Sequence, residues 1–388
     1  MYVYLDHAAT TPVDPEILQY YTLIAEQTWG NPSSVHRIGQ KARSVLEKAR
    51  MKCASILRVR SREIYFTASA TEANNIAIQG LLLKSSKKVT RPHILISALE
   101  HNSVSDFTNH PDAEVEIYPV KPSGIADINT ILSFVKDDTI LISLMLVSNE
   151  IGVIQPIKEL VEKIQQINVI RVAQKLHEIY IHSDCVQAPL YIDLDLKQLG
   201  VDFAVISAHK LYAPKGAAVL YIKNDVKIQK TVYGGGQEKG LRSGTQDISA
   251  IASLAYGLDL AQKNVVKSGT EIKKFRDCII HFVQINIPQA CINGDLLNRA
   301  ANNIHITIPE VDESSLLMAL DLKGFGVSAG SSCSSGSNKK SNISKILNSN
   351  IEGADIRITL GKNNTSEEVK LFCKTLQELV EELSNSKI

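Results

Sequence analysis

Over the first two thirds of the chain, short apolar runs alternate with longer stretches in which apolar positions recur every three or four residues. The short runs predict strands at about 64–67, 93–97, 115–118, 139–147, 179–183, 202–206 and 217–222. The longer stretches, Gly39 to Leu57, Thr71 to Leu83, Pro156 to Gln166 and Asp247 to Gln262, carry the spacing of amphipathic helices. Such an alternation reads as an α/β fold with helices covering both faces of a sheet. Beyond residue 263 the pattern changes to a helix over 268–284, scattered strands, a Ser/Gly stretch and an amphipathic helix from about Ser366 to Leu383, which predicts a smaller second domain.

Composition agrees with a soluble globular chain: 388 residues, 44% hydrophobic, 21% charged, formal net charge +1. Near-neutral charge argues against a large nucleic-acid surface, and the cluster Lys84-Ser-Ser-Lys87-Lys88 reads as a solvated loop. No apolar stretch reaches 18 residues and no basic leader precedes an apolar core, so a cytoplasmic protein without membrane contact is expected. The six cysteines, at 53, 185, 278, 291, 333 and 373, show neither C-x-x-C spacing nor a zinc pattern, which fits a reducing compartment and predicts no resident metal.

Candidate chemistry gathers where predicted strands end. Phe203-Ala-Val-Ile-Ser207-Ala-His209-Lys210 carries a strand into a polar turn that closes on a lysine. A desolvated lysine can form a Schiff base, whereas a rim lysine snorkels to water. The preceding strand delivers Asp184 and then Gln187; an aspartate there either caps a helix or pairs with the ring nitrogen of pyridoxal phosphate (PLP). Ile64-Tyr-Phe-Thr67 followed by Ala68-Ser69-Ala-Thr71-Glu-Ala-Asn74 reads as strand, small-residue turn and helix start, a place for capping or for phosphate. One strand on, Glu100-His101 puts an imidazole at the same sheet edge, where ligands of parallel sheets bind.

These residues carry a resemblance to the NifS/IscS-like cysteine desulfurases, in the class V aminotransferase superfamily of fold-type I PLP enzymes. It runs from end to end through Tyr4-Leu-Asp6-His7-Ala-Ala-Thr10-Thr11-Pro12, Gly30-Asn31-Pro32-Ser33-Ser34, Ser69-Ala-Thr71-Glu72, Glu100-His101-Asn102, Asn149-Glu150-Ile-Gly152, Ser207-Ala-His209-Lys210, Gly234-Gly-Gly236-Gln237-Glu238, Arg242-Ser-Gly-Thr245 and Gly330-Ser-Ser-Cys333. The resemblance implies a mostly parallel seven-stranded sheet flanked by helices, with a large PLP-binding domain over 13–262. Residues 1–12 and 263–388 would form the smaller α+β domain.

The resemblance also implies roles. Lys210 would hold PLP, Asp184 would pair with the ring nitrogen, Gln187 would touch the phenolic oxygen, and His101 would cover the ring and relay protons. Thr71, Ser207 and His209 would meet the phosphate, with Thr245 reaching in from a second subunit of a homodimer. Arg357 would clamp the substrate carboxylate bidentately, helped by Asn149 and Asn31. Cys333, in the small and polar run Ser328-Ala-Gly-Ser-Ser-Cys333-Ser-Ser-Gly-Ser337, would take sulfur from L-cysteine as a persulfide. It could touch a nascent iron–sulfur cluster, and the acceptor protein would be an iron–sulfur scaffold or a tRNA-thiolation protein.

Three positions depart from the family pattern: Cys185, where a small residue is expected, and Leu146 and Ser148, where polar residues are commoner. A dinucleotide enzyme is disfavoured, because Gly234-Gly-Gly236-Gln-Glu-Lys-Gly240 lacks G-x-G-x-x-G spacing. Another class V enzyme, such as a selenocysteine lyase, and a sulfur-relay scaffold of feeble turnover stay open at this level.

Overall fold

The structure is a computed structural model and describes residues 2–85, 91–329, 346–347 and 351–385. The chain opens with β1 (Val3–Tyr4), α1 (Pro15–Gln27) and α2 (Arg37–Ile56). It then alternates through β2 (Ile64–Thr67), α3 (Ala70–Ser85), β3 (His93–Ser97), α4 (Asn102–Ser105), β4 (Glu114–Tyr118), α5 (Ile128–Ser133), β5 (Thr139–Ser143), α6 (Ile157–Ala173), β6 (Tyr180–Asp184), α7 (Leu196–Leu199), β7 (Phe203–Ser207) and β8 (Ala218–Ile222). After α8 (Ile248–Asn286) come β9 (Cys291–Ile292), β10 (Asn303–Pro309), α9 (Glu313–Leu322), β11 (Phe325–Gly326), β12 (Ser328–Ala329), β13 (Gly353–Thr359) and α10 (Ser366–Asn385).

Seven strands form one sheet in the order β2-β8-β7-β6-β5-β3-β4. β4, β3, β5, β6 and β7 run parallel, and β8 runs against both β7 and β2. The mostly parallel seven-stranded sheet that the resemblance implies is therefore present. Both its faces are covered: Leu95, Ile142, Ile181 and Ile206 pack with α2, α6 and the start of α8, while Ile94, Ile96, Phe203 and Val205 pack with α3. The strand predicted over 139–147 ends at Ser143, although Leu144, Met145, Leu146 and Val147 stay buried. The apolar run there marks burial rather than ladder pairing. Leu146 belongs to the large core, and the Ser148 hydroxyl accepts the N–H groups of Glu150 and Ile151, holding the turn that presents Asn149.

A second core forms around β10 and β13, with Val3 and Leu5 from the N-terminus, Leu316 of α9 and Phe372 of α10. α8 serves both cores: Ile251, Leu254 and Leu258 pack in the large one, Ile272, Ile279 and Val283 in the small one. The two helices predicted over 247–262 and 268–284 are thus one helix of 39 residues. Residues 263–267 contain no Pro or Gly, so nothing in them stops it.

The turn that follows Gly236 is anchored from inside. Arg50, 4% exposed on α2, grips both carboxylate oxygens of Glu238 at 2.7 and 2.9 Å, and Glu238 also accepts the Phe66 N–H at 2.9 Å. Burial pushes the Glu238 carboxyl up, but the hydrogen bond and charge of Arg50 outweigh it and hold the pKa below the ordinary value. The pair's contribution is therefore present above the unfolded carboxyl pKa and is lost as pH falls through the folded one. Among the described residues, Glu238→Ala leaves Arg50 with the outer, half-exposed Glu47 alone as a counter-charge. The expected loss is about 3–5 kcal/mol of stability at pH 7, measured from urea unfolding.

Candidate active site

The carboxyl ends of β2, β6 and β7 share one edge of the sheet, and a cavity of about 340 Å³ opens there. Asp184 and Gln187 enter it from β6, Ser207, His209 and Lys210 from β7, Thr71 from α3, and His101 from the residue before α4. Asn149 reaches it from the turn after β5 and Arg357 from β13 in the second core. Nine of the residues singled out in the sequence thus line one cavity.

The local chain explains each placement. Ser69 caps α3: its hydroxyl accepts the Glu72 N–H at 3.1 Å, while Glu72 reaches past the cap to accept the Ala68 N–H at 2.5 Å. The N–H groups of Ala70 and Thr71, in the first turn, have no intrahelical acceptor and suit an anion. Asp184 ends β6 and accepts from the Val186 N–H and from Asn74 Nδ2, both at 2.9 Å. Burial, then the charges of Lys210 and Lys215, hold His209 down at about 4, so its ring is neutral near neutral pH. Thr10 Oγ1 lies 3.1 Å from His209 Nδ1.

The N-terminal segment closes one side. The carbonyl of Ala8 accepts from Lys210 Nζ and from Gln187 Nε2 (2.9 Å), and that of Ala9 accepts from Lys210 Nζ at 2.6 Å. Arg357, 1% exposed, donates to Asp6 Oδ1 at 2.8 Å and to the Asn149 carbonyl at 3.1 Å. Among the described lining residues, Lys210, Lys215 and Arg357 face one carboxylate, Asp184, so the cavity favours an anionic ligand.

Other candidate residues fall elsewhere. Asn31 is exposed, with Oδ1 accepting the Ser33 N–H at 2.9 Å, and does not line the cavity. Thr245 is exposed on this single chain. Cys333 lies outside the described residues. Cys185 is wholly buried, and burial pushes its thiol up to about 12, which makes it an inert apolar neighbour of Asp184. Sequence reasoning did not single out Ser103, Met145 and Lys215, which also line the cavity, or Asp6, which pairs with Arg357. Lys215, in the Ala-Pro-Lys-Gly turn five residues after Lys210, was the one with a readable signal.

Away from the cavity, His93, Glu114 and Glu116 bring ligand atoms within 4.8 Å of one another. Lys136 Nζ sits on both carboxylates at 2.7 and 2.9 Å, so an ammonium already fills the cation position.

The aminotransferase class-V family model matches residues 3–372. The chain is 38% identical over 386 residues to "Cysteine desulfurase IscS" of Dictyoglomus turgidum, covering 98% of this chain and 95% of that protein. To the protein of the same name from Methanosarcina thermophila it is 36% identical over 389 residues, 99% of this chain and 93% of the other. Among solved structures, a NifS-like protein matches with a TM-score of 0.88 at 31% identity, covering 99% of this chain and all of that one. A NifS-like protein from Rickettsia africae matches with a TM-score of 0.86 at 30% identity over 98% of this chain and 100% of that one.

Proposed function

We infer the chemistry from one premise: this chain belongs to the aminotransferase class-V family. It is a PLP-dependent cysteine desulfurase, converting L-cysteine to L-alanine and passing the sulfur to an acceptor thiol. In balance, the substrate C–S bond breaks, an S–S bond forms to the thiol, and the carbon left behind gains a proton. The observation that carries this reading is the convergence of Lys210, Asp184, the α3 N-terminus and Arg357 on one cavity.

The donor set fits PLP. We propose that Lys210 holds the cofactor, Asp184 accepts from its ring nitrogen, Gln187 lies at the phenolic oxygen, and Thr71, Ser207 and His209 hold the phosphate with the first turn of α3. Bound there, PLP supplies an electron sink for the bonds at the substrate's α-carbon. The remaining steps belong to the protein. Arg357, pre-oriented by Asp6 and the Asn149 carbonyl, orients the substrate carboxylate. Lys210 moves protons at the substrate carbon from its Nζ, His101 covers the ring, and Cys333 takes the sulfur as a thiolate.

We further propose a homodimer in which Thr245, exposed on the single chain, completes the phosphate site of the other copy, and we propose that Asn31 joins the substrate site in that assembly. The two cores support a division into a large domain, 13–262, and a small one formed by 1–12 and 263–388. No described helix is long and apolar enough to cross a membrane. The described cysteines are free thiols, which supports a cytoplasmic location. The acceptor we propose is a protein thiol of iron–sulfur cluster assembly or of tRNA thiolation.

Alanine release from L-cysteine by the PLP-loaded protein, with a reductant present, tests the reaction; a loaded protein that releases none sinks it. In the same assay Arg357→Ala is expected to raise KM about 100-fold, the loss of charge-assisted hydrogen bonds to a carboxylate. A fall in kcat at constant KM would instead point to a role away from substrate binding.

A further inference from the structure

Behind Asp184 and His101 runs a line of buried polar side chains that the reaction itself does not use. Asn74, fully buried on α3, donates from Nδ2 to Asp184 Oδ2 at 2.9 Å and to Ser103 Oγ at 2.8 Å. Ser103 meets His101 Nδ1 through its hydroxyl at 2.9 Å and its backbone N–H at 3.1 Å. On the other side, Asn74 Oδ1 faces His182 Nε2 at 3.0 Å, and His182 Nδ1 faces Ser143 Oγ at 2.8 Å. Ser143 Oγ lies 3.1 Å from Glu100 Oε1, which accepts the Met145 N–H at 2.7 Å.

Counting hydrogens along this line leaves two arrangements of the protons. The Asp184 carboxylate only accepts, so it turns the Asn74 amide with Nδ2 toward it and leaves Oδ1, also an acceptor, for His182. His182 must then present Nε2–H. With a neutral imidazole, Nδ1 takes the one Ser143 hydroxyl hydrogen, and Ser143 can offer Glu100 only a lone pair. Glu100 must therefore carry a proton of its own. The other arrangement, an imidazolium with a Glu100 carboxylate, holds the same number of protons.

Burial favours the first form. It raises Glu100 to about 8, with the Asp184 charge adding to it, and lowers His182 to about 4 against the pull of Asp184. Tyr118 and Cys185, the other titratable groups near Glu100, are both pushed up by burial and stay neutral. Glu100 Oε2 has no hydrogen-bond partner among the described residues, which costs a neutral acid far less than a carboxylate.

We propose that Asn74 and His182 are positioning residues for bound PLP: backed by a protonated Glu100, they hold Asp184 as an acceptor facing the cofactor and His101 with its proton on Nε2. A single carboxamide thereby sets the residue at the ring edge and the residue over the ring face. The Ser103 N–H, which occupies the Nδ1 lone pair, leaves His101 no other neutral tautomer. The proposal rests on the PLP reading above.

The test compares PLP-loaded wild type with Asn74→Leu, His182→Asn and His182→Gln by equilibrium dialysis of PLP and by the pH titration of the bound cofactor's absorbance. Asn74→Leu is expected to weaken PLP retention about 10- to 100-fold, the loss of a hydrogen bond to a charged group, and to shift the titration midpoint. The longer amide of His182→Gln reaches the Nε2 position, whereas that of His182→Asn matches only Nδ1. Retention about ten-fold better in the glutamine variant is therefore expected. Wild type that does not retain PLP overturns the cofactor reading itself. Wild type that retains it while the variants match it overturns this proposal alone. Should Asn74→Leu fail to fold by circular dichroism, equal losses in the two His182 variants overturn it as well.

Discussion

Lys210→Ala is expected to lower alanine release from L-cysteine by at least about 10⁴-fold, because in the mechanism proposed above one amine supplies both the attachment of the cofactor and a proton-transfer group. Its placement explains why no neighbour substitutes. Lys210 follows β7 through a single turn, while Asp184 ends the adjacent parallel strand β6, so two neighbouring strands set the spacing between amine and carboxylate. Lys215, a second lysine of the lining, stands five residues further along the chain, past the turn that carries Lys210. The measurement pairs alanine release with the absorbance of the protein after dialysis against PLP. Activity above about one percent of wild type would move the amine's role to Lys215.

Cys333→Ser is expected to remove persulfide formation and to slow alanine release about 10³-fold, while the cofactor absorbance stays that of wild type. The chain's other thiols argue for this assignment. Cys53, Cys185 and Cys373 are buried and pushed up to about 12, which keeps them protonated and closed to substrate. Cys278 and Cys291 lie on α8 and β9, and neither lines the cavity. β12 ends at Ala329, four residues before Cys333 in sequence, and Ser328 pairs in register with Arg357. The attached sulfur is read by mass spectrometry of the intact chain after one turnover. Full alanine release by Cys333→Ser would identify a lyase that gives sulfur directly to the reductant.

The sheet was legible because strands buried on both faces must be apolar throughout, and residues 64–67 and 93–97 are bounded as the pattern predicts. Cavity residues at strand ends were legible for the same reason: Asp184 and Lys210 follow apolar runs directly. α8 was read as two helices because its polar middle crosses the gap between two cores, where the apolar spacing lapses though the backbone continues. The line from Glu100 to Asp184 was illegible, since its partners stand 39 to 110 residues apart and only the fold brings them together. Thr245 and Asn31 are exposed on one chain, and their proposed surroundings belong to two.

At about 1.5 Å per residue, α8 is a rod of roughly 58 Å fixed into both cores. A hinge at residue 263 would have to snap consecutive backbone hydrogen bonds, and the N-terminal strand of chain, tied to Gly326 on one side and to His209 on the other, resists the same swing. The two cores therefore behave as one stiff body. In the proposed site, the separation of Arg357 and Lys210 is then set by the packing of the two cores and acts as a ruler for the length of the substrate.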